Sequence, residues 1–176
     1  TLIDLDEICV TNINRQLHAL SKTVGQSKVL VMKERLLEIS PELTIHTEQC
    51  FYTPKAEVKL LGEITEKAKK FDVLIDAIDH TERKAQLIEA CKLRSIPVVC
   101  CGAAGGRRSP QMITCADLSQ STHDALLRRV KQLLKKSSQF KHKFIDNAMS
   151  NSQAKSKNSN HEWGVPAVFS TERPYY

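Results

Sequence analysis

Apolar positions along the chain fall into short runs of two kinds, and the way the two kinds alternate predicts the architecture. TLID (1–4) has the pattern of the end of a buried strand. Val29, Met32, Leu36 and Ile39 recur at helical spacing, and Pro41 follows as the stop for their helix. A strand is expected over 43–47 and a helix over 56–70. FDVLIDAI (71–78) is a nearly unbroken apolar run of strand length, the pattern of a strand buried on both faces. Then come a helix over about 82–95, the strand PVVCC (97–101), the turn-rich GAAGG (102–106), a strand over 111–115 and a basic helix over 122–136. Ser, Asn, Lys and Gln dominate from about 137 to 164, which predicts a flexible basic loop before the chain re-enters the fold at VPAVFS (165–170).

Strands alternating with helices predict an α/β domain, doubly wound around a mostly parallel sheet with right-handed crossovers. A length of 176 residues suits one such domain. Ligands of these sheets bind at the carboxyl ends of the strands, which singles out Asp4, Asp79 and the loop from Gly102 to Gly106.

Composition narrows the classes. With 41% hydrophobic and 26% charged residues the balance is that of a soluble globular protein, and no apolar run reaches the length of a membrane span. The six cysteines form no CxxC pair, so the reading is a reducing compartment with no zinc within this chain and no disulfide framework. Cys100 and Cys101, neighbours on one strand, should point to opposite faces. Charge is uneven: residues 121–160 hold nine Lys or Arg against Asp124 and Asp146, a local excess of seven in a chain of net +6. Such a stretch either faces a polyanion or is merely solvated.

Four constellations could carry chemistry, and each has a plain structural alternative. In LIDLDEICVTNINRQ (2–16), Asp4 is placed to bind a ribose diol, with Asp6 just beyond it. Asn12, Arg15 and Gln16 converge from one short helical turn, where Arg offers a planar charged fork to phosphate oxygens. Alternatively, Asn12 caps the turn and Arg15 pairs with Asp6 or Glu7. In VGQSK (24–28), Lys28 occupies the first turn of a helix and opposes its dipole, unless an anion lies between them. The alternative is an exposed, solvated lysine. In IDAIDHTERK (75–84), Asp79 follows a strand, where a carboxylate can hold magnesium, or with Glu82 it forms a capping box for the next helix. The glycines of CCGAAGG (100–106) permit either close approach to a ligand or a tight turn.

Taken in order, DxDxxxxxNxxRQ, VGxxK, DxxD at a strand end and a glycine-rich strand exit resemble the adenylating enzymes of molybdopterin and thiamine synthesis, relatives of the ubiquitin-activating enzymes. VCCGAAGG with a following Ser-Pro, DLSQSTHDALLRRVKQLL (117–134) and VFSTERP (168–174) are similar to the tRNA threonylcarbamoyladenosine dehydratase branch. The resemblance implies a Rossmann-like domain that binds ATP and magnesium through Asp4, Asp6, Asn12, Arg15, Gln16, Lys28 and Asp79. Asp4 would take the ribose, Asn12 and Arg15 the phosphates, Lys28 the triphosphate and Asp79 the metal, with Arg15 and Asp79 serving catalysis. It further implies adenylation of a threonyl carboxylate in tRNA followed by ring closure, in a cytoplasmic homodimer, with mitochondrial association left open. Arg128, Arg129, Lys131, Lys135 and Lys136 would then meet the RNA.

The glycine-rich phosphate loop of that family is absent from this sequence and is expected ahead of Thr1, and relatives continue beyond VFSTERP. The expectation is therefore a partial domain, incomplete at both ends, with its activity in doubt. Rival readings are an activator of a sulfur-carrier or ubiquitin-like protein, a nicotinamide-nucleotide-binding module, and an inactive scaffold.

Overall fold

The computed structural model describes residues 1–64, 71–146 and 162–175, and the chain divides into two units, Thr1–Ala56 and Glu57–Tyr176. In the first unit, β1 (Leu2–Ile3) pairs in parallel with β2 (Thr47–Glu48), Leu2 opposite Thr47 and Ile3 opposite Glu48. The helix α1 (Lys28–Ile39) joins them in the order strand, helix, parallel strand. It ends at Ser40, whose N–H donates to Leu36 O just ahead of Pro41.

Two expectations shift here. The strand expected over 43–47 begins only at Thr47, because that is where the ladder to β1 starts. Of the apolar positions chosen for α1, Val29 is buried but Ile39 is 71% exposed, since it sits on the last helical turn.

In the second unit, α2 (Glu57–Leu61) ends at Gly62, which takes a left-handed φ of +85°. That stops the helix expected over 56–70 early; the rest of the expectation, 65–70, lies outside the described residues. Arg94 ties this end down, its Nη2 2.8 Å from Glu57 Oε1 and its Nε donating to Gly62 O at 2.8 Å.

A four-stranded sheet in the order β3-β4-β6-β5 follows, from β3 (Leu74–Asp76), β4 (Val98–Cys101), β5 (Ile113–Asp117) and β6 (Pro166–Ser170). β3, β4 and β6 are parallel, and β5 runs antiparallel to β6 with Ile113 opposite Ser170 and Asp117 opposite Pro166. The two sheets are thus mostly parallel and alternate with helices, as the pattern predicts. β3 departs from it. Val73 and Ile75 are 53% and 71% exposed, so this strand is buried on one face only. It lies at the sheet's edge, and among the described residues no helix covers the face that carries them.

The core of this unit is built from α3 (Thr81–Leu93), α4 (Ala125–Lys136) and the sheet, with Ile88, Cys91, Cys100, Leu127, Val130, Val165 and Ala167 inaccessible to solvent. Asp117, at the end of β5, accepts N–H groups from Ser119 (2.9 Å), Trp163 (3.0 Å) and Val165 (3.0 Å), and so fixes where the chain returns to the sheet. Burial works to raise the pKa of this carboxyl, but those hydrogen bonds overcome it and hold the carboxyl below the ordinary value.

The polar stretch expected to be a loop over about 137–164 starts as structure. α5 (Ser138–Phe140) continues into a wider helical turn, Lys141–Asp146. Phe140 is fully buried, stacking edge-on to Trp163 at 5.8 Å and tilted against Phe144 at 5.2 Å. Composition hid this because three aromatic rings supply the apolar contact that the surrounding Ser and Lys do not. Residues 147–161 lie outside the described residues.

Candidate active site

In the first unit, β1 ends one residue before Asp4, whose main-chain N–H still donates to Glu48 O at 3.2 Å. Asp4 therefore stands at the carboxyl end of its strand, as expected. Its Oδ1 accepts the Asp6 N–H at 2.9 Å, which turns the chain out of the sheet.

Asp6 is joined to the start of α1 twice. Its carbonyl accepts the Lys28 N–H at 3.0 Å, and its Oδ2 lies 2.8 Å from Lys28 Nζ. Lys28 is the first helical residue and its side chain is 15% exposed, so it is not the solvated lysine of the plain alternative. The charge that opposes the helix dipole is offset by a carboxylate 22 residues earlier in the chain.

The turn after Cys9 holds Asn12, Arg15 and Gln16. Asn12 is 8% exposed and its Oδ1 accepts the Cys9 N–H at 3.1 Å, so it does cap the turn. Arg15 does not pair with Asp6 or Glu7. Its Nη1 donates to Thr11 O (2.7 Å) and Asn14 Oδ1 (3.0 Å), and the residue stays exposed. Gln16 Oε1 is buried with no hydrogen-bond partner among the described residues.

His18 was not among the sequence-derived candidates. Burial pushes its pKa down, positive charge on Lys28 and Arg35 pushes it further, and Asp4 opposes them. Its Nε2 is buried without a partner among the described residues. The imidazole is thus a neutral ring within reach of the fields of Asp4 and Lys28. Its place two positions beyond the Arg15–Gln16 pair was the available signal.

In the second unit, β3 ends at Asp76 and Asp79 follows three residues later, exposed. Asp79 does not cap α3. The N-cap is His80, with no side-chain cap, and His80 Nδ1 lies 3.3 Å from Glu82 Oε2, so the capping-box alternative fails. Among the described residues the Asp79 carboxylate makes no hydrogen bond or ion pair.

The buried acid is Asp76, 1% exposed, with Lys84 fully buried beside it. Lys84 Nζ donates to Asp76 O (3.1 Å) and Ile78 O (2.9 Å) and lies 3.1 Å from Asp76 Oδ2. Oδ2 is held by this ion pair rather than by a well-directed hydrogen bond. Burial pushes the Asp76 pKa up, against the pull of Lys84 and of the Ile78 N–H. Sequence reasoning passed over the pair because a lysine on the inward face of a helix is legible only once its partner is known.

The parallel register pairs Asp76 with Cys100, so the exits of β3 and β4 lie at one end of the sheet. Gly102, at the β4 exit, is required by packing. A Cβ there would stand 2.4 Å from Asp124 Oδ2 and 3.1 Å from Phe169 Cβ. Asp124 itself caps α4, its Oδ1 accepting the Leu127 N–H at 2.8 Å and its Oδ2 the Ala103 N–H at 2.8 Å. Gly106 supplies the turn, with φ +71°.

Cys100 is buried and Cys101 half-buried, on opposite faces of β4 as expected. Burial pushes the thiols of Cys91 and Cys100 up to about 12, which leaves neither as a thiolate at neutral pH.

On α4, Leu127, Val130 and Leu134 face the core, while Arg128, Arg129, Lys135 and Lys136 are exposed on the opposite side. Lys131 differs from these. Its ammonium donates to Ser121 O at 2.7 Å and Ser119 O at 3.4 Å, and burial lowers its pKa. Lys135 Nζ lies 5.9 Å from the centre of the Trp163 ring. No helix among the described residues is long and apolar enough to cross a membrane.

Over 172 residues the chain is 40% identical to the tRNA threonylcarbamoyladenosine dehydratase of Haemophilus influenzae, covering 98% of this chain and 58% of that protein. Against the Escherichia coli protein of the same name identity is 38%, over 100% of this chain and 58% of the relative. The chain thus spans somewhat under 60% of the length of these relatives. The crystal structure of the E. coli enzyme, TcdA, in complex with AMP superposes with a TM-score of 0.81 at 36% identity, covering 99% of this chain and 63% of that one. The ThiF family model matches residues 1–153. A family match over residues 1–153, most of the chain, identifies the chain as a member of the ThiF family.

Proposed function

We propose that the protein uses ATP to adenylate the threonyl carboxylate of threonylcarbamoyladenosine in tRNA, and that the activated carboxyl is then closed into a ring. The reading is carried by the 40% identity to the H. influenzae dehydratase over 98% of this chain. The chemistry suits the residues. A carboxylate oxygen is a poor leaving group and AMP a good one, so the first step joins the carboxylate to the α-phosphorus and expels pyrophosphate. An atom of the same side chain then attacks the acyl carbon and AMP departs, with net loss of water from the substrate.

Negative charge crowds during the in-line attack, and its neutralisation is the protein's main task. In this reading Asp4 and Asp6 bind the ribose side of ATP, Asn12, Arg15 and Gln16 line the phosphates, and Lys28 meets the triphosphate by exchanging its partner Asp6 for the anion. Asp79 would hold magnesium, which neutralises phosphate charge when bound. An exposed carboxylate without other partners among the described residues suits that ion, which is commonly held by one or two carboxylates together with substrate phosphates. The same reading makes the enzyme a cytoplasmic homodimer built around a single nucleotide-binding domain.

The test is ATP–pyrophosphate exchange together with AMP release in the presence of tRNA carrying the modified nucleoside. Exchange that depends on this tRNA is expected. AMP release with unmodified tRNA at the same rate would discard the reading.

We further assign RNA contact to the exposed side of α4. Replacing Arg128, Arg129, Lys135 and Lys136 with Gln is expected to weaken tRNA binding and flatten its salt dependence, by about 0.9 in log–log slope for each duplex phosphate that is no longer neutralised. Adenylation of the free nucleoside should be largely spared. Filter binding across a salt series decides, and an unchanged slope removes α4 from the interface. Lys131 is left out of the set because its ammonium is engaged by Ser119 and Ser121.

A further inference from the structure

The second unit contains a cavity of about 350 Å³ beside the segment that leaves β4. Its apolar walls include Cys101, Pro110, Ile113, Val168 and Phe169, and Arg108 also lines it. The volume is at the small end for ligand sites, which run from about 300 to 1,000 Å³, so it admits a side chain or a small molecule rather than a peptide. Because β3 and β4 exit at one end of the sheet, the cavity lies at the end of the sheet that Asp79 follows.

Two arginines adjoin the cavity, and their states differ. The two terminal nitrogens of Arg107 are engaged by the fold, Nη1 donating to Glu172 O and Nη2, at 2.6 Å, to His123 O, while its Nε is buried without a partner among the described residues. The guanidinium of Arg108 lies 3.6 Å from the centre of the Tyr175 ring and makes no hydrogen bond among the described residues. The main chain beneath both side chains is tied down. Glu172 Oε2 accepts the main-chain N–H groups of Arg108 (3.0 Å) and Ser109 (3.1 Å), and the Tyr175 N–H donates to Gly106 O at 2.8 Å. Those two N–H groups, with the charges of Arg107 and Arg108, hold the Glu172 carboxyl below the ordinary carboxylate range, so the clamp keeps its charge at neutral pH.

Arg108 is exposed, and a permanently charged fork that makes no hydrogen bond among the described residues, on a residue lining an apolar cavity, matches a carboxylate, which it can bind through two parallel hydrogen bonds. Resting on the function proposed above, we propose that this cavity receives the carboxylate-bearing side chain of the substrate, with the Arg108 guanidinium, backed by Tyr175, binding the carboxylate.

The test is calorimetry of the protein with the free nucleoside N6-threonylcarbamoyladenosine and with its neutral methyl ester. The acid is expected to bind about 10- to 100-fold more tightly than the ester, the range for hydrogen bonds to a charged group. In Arg108→Ala that preference should disappear while ester affinity and the thermal midpoint stay unchanged. Arg108→Lys should restore only part of it, because the charge returns without the fork. The proposal is overturned by equal binding of acid and ester, by no binding of either, or by a preference that survives Arg108→Ala. AMP serves as the control for a general anion site, and a loss of AMP binding in Arg108→Ala equal to that of the acid also overturns it. None of these readouts needs turnover. Discrimination without pyrophosphate exchange therefore leaves the subsite standing and removes only the adenylation reading.

Discussion

Lys84→Met is expected to cost about 3–5 kcal/mol of folding stability, the range for removing one partner of a buried ion pair. Lys84 is fully buried, and its ammonium serves the Asp76 carboxylate together with the carbonyls of Asp76 and Ile78. Methionine fills similar space but leaves a carboxylate at 1% exposure with only the Ile78 N–H, 3.0 Å from its Oδ1. Burial already pushes the Asp76 pKa up, and without Lys84 the opposing pull is lost.

The sign of the pH dependence follows. With a folded-state pKa above the unfolded one, the folded variant binds the proton more tightly, so its deficit is small in acid and grows as pH rises above the ordinary carboxylate value. Asp76→Asn combined with Lys84→Met should recover much of the loss, since no buried charge is then left unpaired. Urea denaturation at several pH values measures this. A Lys84→Met deficit below about 1 kcal/mol at neutral pH, or one that does not change with pH, means the pair is not what holds β3 to α3.

The largest expected effect on activity is at Arg15 and Asp79. Arg15→Ala should lower tRNA-dependent pyrophosphate exchange by about 10²–10³-fold, the range for removing one pre-organised group from a developing charge. The fold should survive it, because among the described residues the exposed guanidinium donates only to Thr11 O and Asn14 Oδ1 within its own turn. Arg15→Lys is the sharper comparison. Lysine keeps the charge and loses the planar fork, so little of the rate should return.

Asp79→Asn should leave stability within about 0.5 kcal/mol, as for surface positions away from caps and ion pairs, since His80 and not Asp79 is the N-cap of α3. Exchange should fall and the magnesium concentration needed for half-maximal rate should rise. Exchange within threefold of the unsubstituted protein, in either variant, would take that residue out of the site.

Much of this was legible in the sequence because it depends on local signals. The end of β1 just before Asp4, the start of α1 at Lys28, the strand at 98–101 and the turn at Gly106 follow from apolar runs, a helix start and glycine, all of which act within a few residues. The order of the polar motifs likewise pointed to the family and the α/β class. The tertiary structure decided which charges meet. Lys28 looked like a cation opposed to its own helix until Asp6 was found 2.8 Å away, and for Asp79 capping stood as the alternative to metal binding until α3 began one residue later. The glycines at 102–106 left a ligand contact and a tight turn both open, and only the fold showed the Asp124 carboxylate where a Gly102 Cβ would stand. The antiparallel placement of β5 is set by β6 some fifty residues downstream, and Phe140 is buried only because Trp163 returns to meet it. Periodicity states which face of an element is apolar. Which partner covers that face, and which buried charge is thereby balanced, depends on contacts between distant parts of the chain that no window of sequence contains.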